Sequence, residues 1–138
     1  MTMKPTHLAM AVIAAAMSFA LTAAADNAPL PPASTKTGVT YATDMKPIFD
    51  ASCVKCHSGD RAKARLHMDT LEGVLKGTKE GSILKTGDSA NSFIIKCVAH
   101  TTEDRDSWMP PMNNKAGIKP LTPEQIGLVR AWIDQGAK

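Results

Sequence analysis

Apolar positions along the chain form one long run near the start and several short groups at helical spacing after it. Leu8 to Leu21 is apolar apart from Ser18, with Lys4 ahead of it and Ala23-Ala24-Ala25 behind. A basic start, a short apolar stretch and small residues at its end describe a secretory signal peptide. The run is shorter than the ~20 apolar residues a membrane-spanning helix needs. Residues 1–25 are therefore read as a signal peptide cleaved after Ala25, and the mature protein as periplasmic or otherwise exported, with no integral membrane span. Residues 26–40, with Pro29, Pro31, Pro32, Ser34, Thr35, Thr37 and Gly38, offer little apolar content and read as a flexible leader. An ordered domain is expected over residues 41–138.

Within that domain the period is helical throughout, and no run alternates at period two. Met45, Ile48, Phe49 and Ser52 predict a first helix, capped by Thr43 or Asp44 with Pro47 in its opening turn. Asp69 is placed as the cap of a short helix over 70–76, ended by Gly77. Asp88 or Ser89 is the expected cap of a third helix running through Phe93, Ile94, Cys97 and Val98. Residues 108–120 contain three prolines and Gly117 and predict a loop. The last helix carries the fullest signal. Thr122 is its N-cap, Pro123 its first residue, Gln125 completes a capping box, and Ile126, Val129 and Ile133, widened by Leu128 and Trp132, form an apolar face before Gly136. The fold class is all-α, with short helices and much loop.

Composition sharpens this picture. A net charge of +3 on 138 residues is too small to argue for nucleic acid. Aromatic residues are only 4% of the chain, so short helices must enclose a thin core, and further apolar surface is expected from outside the chain. Three cysteines are an odd number, which excludes complete pairing within the chain.

Two of those cysteines stand in Cys53-Val54-Lys55-Cys56-His57, the C-x-x-C-H sequence for attachment of c-type haem. Two thiols about one helical turn apart can each form a thioether with a haem vinyl group. The histidine that follows can then reach the iron as proximal ligand. A signal peptide agrees with attachment outside the cytoplasm. Other uses of the same residues are a thioredoxin-like pair, a Cys53–Cys56 disulfide, and a Cys₃His zinc site built from Cys53, Cys56, Cys97 and His100. The first expects a βαβ setting, the second leaves Cys97 odd, and the third leaves His57 and the Met-Pro-Pro segment without a role.

For the distal iron position the sequence offers Met45, Met68, Met109, Met112, His67 and His100. Met109 is preferred, because Pro110 and Pro111 restrict the backbone beside its thioether, and Met112 is its rival. Met45 and Met68 read as core or pocket wall, His100 as a polar contact to a haem propionate, His67 as surface or pocket rim, and Cys97 as a buried free thiol.

Set in order, these residues resemble a class I cytochrome c, and more narrowly the planctomycete-type cytochrome c domain. The resemblance rests on Pro47-Ile48-Phe49, Cys53-x-x-Cys56-His57, Leu66-x-Met68-Asp69-Thr70-Leu71-Glu72-Gly73 with Lys76-Gly77, Gly87-Asp88 with Ser92, Met109-Pro110-Pro111, and the run from Leu121 into Trp132-Ile133-Asp134-Gln135-Gly136-Ala137. It implies that the first and last helices pack together beside one covalently attached haem c, with His57 and Met109 as axial ligands. The function this supports is an electron carrier cycling between Fe(II) and Fe(III), serving protein redox partners, rather than an enzyme. Lys46, Lys55, Arg61, Lys63 and Arg65 either steer an acidic partner or form an ordinary solvated surface. An alternative is a haem enzyme or ligand sensor with a labile sixth ligand. A zinc-stabilised interaction module is the third reading.

Overall fold

The computed structural model describes residues 29–138; the expected signal peptide and its cleavage site lie outside them. The described residues form four α-helices joined by short helical turns and loops, with a single isolated β-bridge between Thr78 and Gly81.

The first helical segment opens as a π-helical turn, Tyr41–Met45, that runs directly into α1 (Lys46–Ser52). Its cap is Thr40, three residues before the earliest expected one. The Thr40 hydroxyl accepts from the Thr43 N–H at 3.3 Å, and the Asp44 carboxylate reaches back to accept from the Thr40 N–H at 3.0 Å. The two side chains satisfy each other's free backbone donors, as in a capping box. Asp44 also accepts from the Lys36 ammonium and from the Thr43 hydroxyl.

Helix α2 (Leu71–Lys76) is capped by Thr70, not Asp69, because the Thr70 hydroxyl accepts from Gly73 N–H at 3.0 Å. It ends at Gly77, whose φ of +78° and contact with the Gly81 backbone leave no room for a side chain. The third segment divides. Asp88 caps a 3₁₀ turn, Ser89–Asn91, and α3 (Phe93–Val98) begins only after Ser92. Ser92 is extended and fully buried. Its hydroxyl accepts from Lys85 N–H at 2.8 Å and donates to the Asp88 carbonyl at 2.9 Å, which ties the segment before the turn to the start of α3. Helix α4 (Pro123–Asp134) follows its sequence pattern, with the capping box between Thr122 and Gln125 formed in both directions.

The core centres on the contact between α1 with its preceding turn and α4. The Phe49 and Trp132 rings meet edge to face at 6.1 Å, and Tyr41 lies 6.1 Å from Phe49 and 6.3 Å from Trp132. Polar bonds close the same region. The Lys138 carbonyl accepts from Tyr41 N–H at 2.7 Å and from the Trp132 indole at 2.9 Å. On its other side α4 holds the 3₁₀ turn, where the Asp134 carboxylate accepts from Ser89 N–H at 2.8 Å and from its hydroxyl at 2.9 Å.

The described part of the expected flexible leader lies along α4. Ser34 N–H donates to the Gly127 carbonyl at 2.8 Å, Gln135 donates to the Lys36 carbonyl at 2.8 Å, and Arg130 donates to the Pro31 carbonyl. These are largely bonds to the leader's own backbone, so its side-chain composition does not reveal them. Gly127 supplies the room: a Cβ there would stand 2.6 Å from the Pro32 carbonyl oxygen.

Two outcomes are expected. Alanine favours a helix interior over glycine by about 1 kcal/mol. At Gly127 the clash with Pro32 outweighs this, so Gly127→Ala should lower stability by about 1–3 kcal/mol and expose residues 29–36 to proteolysis. A gain in stability would contradict the packing. Asp44 provides the second. Its carboxyl is held down to about 2, first by the Lys36 hydrogen bond and then by the Thr40 N–H and the Thr43 hydroxyl. A group depressed on folding contributes stability that is complete above the ordinary carboxylate pKa of about 4. That contribution is lost as pH falls towards 2. Asp44→Asn should therefore flatten the pH dependence of unfolding between about 4 and 2, and an unaltered acid limb would remove Asp44 from the account.

Candidate functional site

Cys53 is the C-cap of α1, so the helix hands its end directly to the C-x-x-C-H segment. The chain continues as a tight turn. Cys53 and Val54 N–H donate to Phe49 O, and Cys56 and His57 N–H donate to Cys53 O at 3.1 and 2.9 Å. The far side of the turn is tied down as well, since Met68 N–H donates to His57 O at 2.8 Å and Lys63 N–H to Cys56 O at 3.0 Å. Phe49, locked against Trp132, thus sets the position of both cysteines and the histidine.

The His57 imidazole is buried, with Nδ1 3.1 Å from the Lys63 carbonyl oxygen. A carbonyl only accepts, so Nδ1 carries the proton and Nε2 keeps its free lone pair. Burial, the largest effect, pulls the imidazole pKa below its ordinary value and favours this neutral form. Burial, with Cys56 beside it, pushes the Cys53 thiol up to about 12.

These three side chains line a cavity of about 360 Å³, within the range of about 300–1,000 Å³ of small-molecule sites. Its walls are mainly apolar and include Leu66, Met68, Ile83, Ile94, Val98 and Leu121. Met109 also lines it, whereas Met112 does not and is 67% exposed. The Met109 main chain is pinned to the end of α3, because its N–H donates to Cys97 O at 3.0 Å. The loop beyond is closed by Asn114, which donates to the Pro111 and Ile118 carbonyls at 2.8 and 2.9 Å and accepts from Ile118 N–H at 2.8 Å.

The remaining sequence candidates separate cleanly. Met45 is core and Met68 is cavity wall, as their patterns indicate. Cys97 is a free buried thiol facing the cavity, its pKa pushed up to about 11 by burial. His67 and His100 do not line the cavity. His100 instead directs Nε2 to the Met109 carbonyl at 3.2 Å and stacks on Trp108. Among the described residues no three His, Cys, Asp or Glu side chains converge to hold a metal ion, which argues against the Cys₃His arrangement. Of the basic residues, Lys46 pairs with Asp50 at 2.9 Å, while Lys55, Arg61, Lys63 and Arg65 are exposed.

Two vicinal thiols and an imidazole with a free Nε2 at the wall of an apolar cavity fit a haem group in chemistry and in polarity. Among the described residues the architecture is helical without strands, and together with this site it is a cytochrome c-like fold. Residues 53–113 match the family model described as planctomycete cytochrome C, which supports a planctomycete-type cytochrome c domain in this part of the chain. The match spans the C-x-x-C-H turn and the Met-Pro-Pro loop, with the Tyr41 turn and α4 outside it. No curated protein and no solved structure matches the chain. Such a domain implies haem c as cofactor and haem-based electron transfer. Among the described residues no helix is long and apolar enough to cross a membrane.

Several contributors to the site carry no signal in the sequence. Nothing local marks Lys63 as the residue whose carbonyl orients His57. Ser92 is visible only as a small polar residue, yet its hydroxyl holds the segment that brings Ile83 to the cavity beside Ile94. Ser92→Ala should leave that segment's backbone donor unpaired and cost about 1–3 kcal/mol in denaturant unfolding. A change under a few tenths would show that the wall stands without it.

Proposed function

We propose that the protein is an exported monohaem electron carrier. One haem c would be held covalently by Cys53 and Cys56, with His57 and Met109 supplying the nitrogen and sulfur ligands to its iron. When bound, the haem supplies one-electron exchange between ferrous and ferric iron. The chain's own contribution is to hold, orient and dry the site. Cys53 and Cys56 would hold the group through thioethers, each S–H adding across a vinyl C=C with sulfur on one carbon and hydrogen on the other. His57 is kept in the Nδ1–H tautomer by Lys63 O, which leaves Nε2 for the metal and strengthens it as a donor.

The observation that carries this reading is the convergence of Cys53, Cys56, His57 and Met109 on one apolar cavity, with Met112 turned out to solvent. A thioether ligand favours the reduced state and raises the potential. The apolar walls act the same way, because a dry site disfavours the extra positive charge of the ferric centre. The run of exposed basic side chains after Cys56 suits a redox partner with an acidic surface. Export is supported by the signal-like run ahead of Asp26.

Optical spectra of the haem-loaded protein test the assignment. Met109→Ala should abolish the weak red band of methionine-ligated ferric haem and lower the potential, while Met112→Ala should leave both unchanged. The reverse result would transfer the role to Met112. A high-spin wild type that binds carbon monoxide rapidly would overturn the carrier reading in favour of an enzyme or sensor with an open iron.

A further inference from the structure

We infer that His100 is a positioning residue that holds Met109 in place through a hydrogen bond to its carbonyl and a stack on Trp108. The inference rests on the proposed ligation by Met109. His100 is not at the cavity wall, so it acts on the ligand loop and not on the haem.

The backbone at His100 is the first indication. Helix α3 ends at Val98, Ala99 is its C-cap, and His100 follows with φ +57°. This left-handed position after a helix is the one glycine usually fills, since a Cβ there is strained. Histidine is tolerated in this region better than most residues but is not free of that strain. His100 has two contacts that offset this strain. Its Nε2 lies 3.2 Å from Met109 O, and because a carbonyl only accepts, Nε2 is the donor. Its ring lies 4.9 Å from the Trp108 ring and within 7° of parallel.

Trp108, the residue before Met109, is held in turn. Its indole N–H donates to Thr102 O at 3.2 Å, and the Arg105 guanidinium stands 5.1 Å from its ring centroid. Met109 is therefore tied at both ends of its main chain to the residues that close α3. Its N–H bonds Cys97 O, and its C=O receives the His100 imidazole. The first bond is backbone to backbone and independent of side-chain identity. The second exists only because residue 100 carries a side-chain N–H donor. Removing it frees the carbonyl side of Met109 and the face of Trp108 together, and so should raise the rate at which the thioether leaves the iron.

Replacement of methionine by added imidazole in the ferric haem-loaded protein reads this directly, because the thioether must leave before the new ligand binds. His100→Gly relieves the backbone strain while deleting the side chain, so the fold is retained. It should accelerate displacement about tenfold, the scale of one lost hydrogen bond and one lost stack. His100→Gln, which keeps an N–H donor at similar reach, should recover part of the wild-type rate. Gly127→Ala, outside the cavity lining, is the control for a general loss of stability and should leave the rate near wild type. Wild-type displacement in His100→Gly, or equal acceleration in Gly127→Ala, would overturn the positioning role while leaving Met109 ligation intact. A wild-type ferric spectrum without the methionine band would overturn the ligation and this inference with it.

Discussion

The cluster of Tyr41, Phe49 and Trp132 is the contact on which the rest of the structure depends. Two aromatic pairs at about 6 Å join the start of the domain to Trp132 on its last helix, and a third, Tyr41 with Phe49, braces them from within the first segment. Each such pair adds about 0.5–1.5 kcal/mol beyond the burial of its rings. That sum matters because α1, α2 and α3 are seven, six and six residues long. Isolated helices below about 12–15 residues are marginal in water. None of them is held by its own hydrogen bonds; each persists because a neighbour covers it. Phe49 is also the residue whose carbonyl starts the turn into Cys53. The packing that stabilises the fold therefore places the thiols and the imidazole.

Around this contact the chain encloses a cavity it does not fill. Three of the aromatic side chains go to the α1–α4 contact, and the cavity walls are mostly Leu, Ile, Val, Met and Cys, with Phe93 as their one aromatic residue of the Phe, Tyr or Trp type. For a domain this small, a large flat apolar group in that space adds buried surface the chain cannot supply. Its walls are partly loop, so their order depends on side-chain bonds to backbone. Ser92 ties the segment before α3, Asn114 closes the turn after Pro111, and Asp134 holds Ser89 of the 3₁₀ turn from α4. Each replaces a regular ladder with one or two specific bonds, which lets irregular backbone line a site without leaving its polar groups unpaired.

Helix α4 was legible in full, because Thr122, Pro123, Gln125 and Gly136 are local signals that act within a few residues. The starts of the other helices were not. Thr40 displaced Thr43 and Asp44 as the first cap, Thr70 displaced Asp69, and Ser92 split the third segment. In each case several capping residues stand close together, and the choice among them is made by packing and by more distant partners such as Lys36 and Lys85. Residues 29–40 show the same limit. Their composition has little to bury, but Gly127 opens a slot on α4 that accepts their backbone.

The sequence by itself determined the helical class, the C-x-x-C-H spacing and the presence of a Met-Pro-Pro segment, because these depend on residue identity over a few positions. Tertiary structure alone decided which methionine reaches the cavity. Met109 and Met112 are three residues apart with the same chemistry, and they differ in that one main chain is pinned to the end of α3 while the other side chain faces water. It likewise decided that His100 meets Met109 O and that Lys63 O orients His57. Both are contacts between a side chain and a backbone carbonyl. Every residue carries that group, so no residue type marks which one will be used.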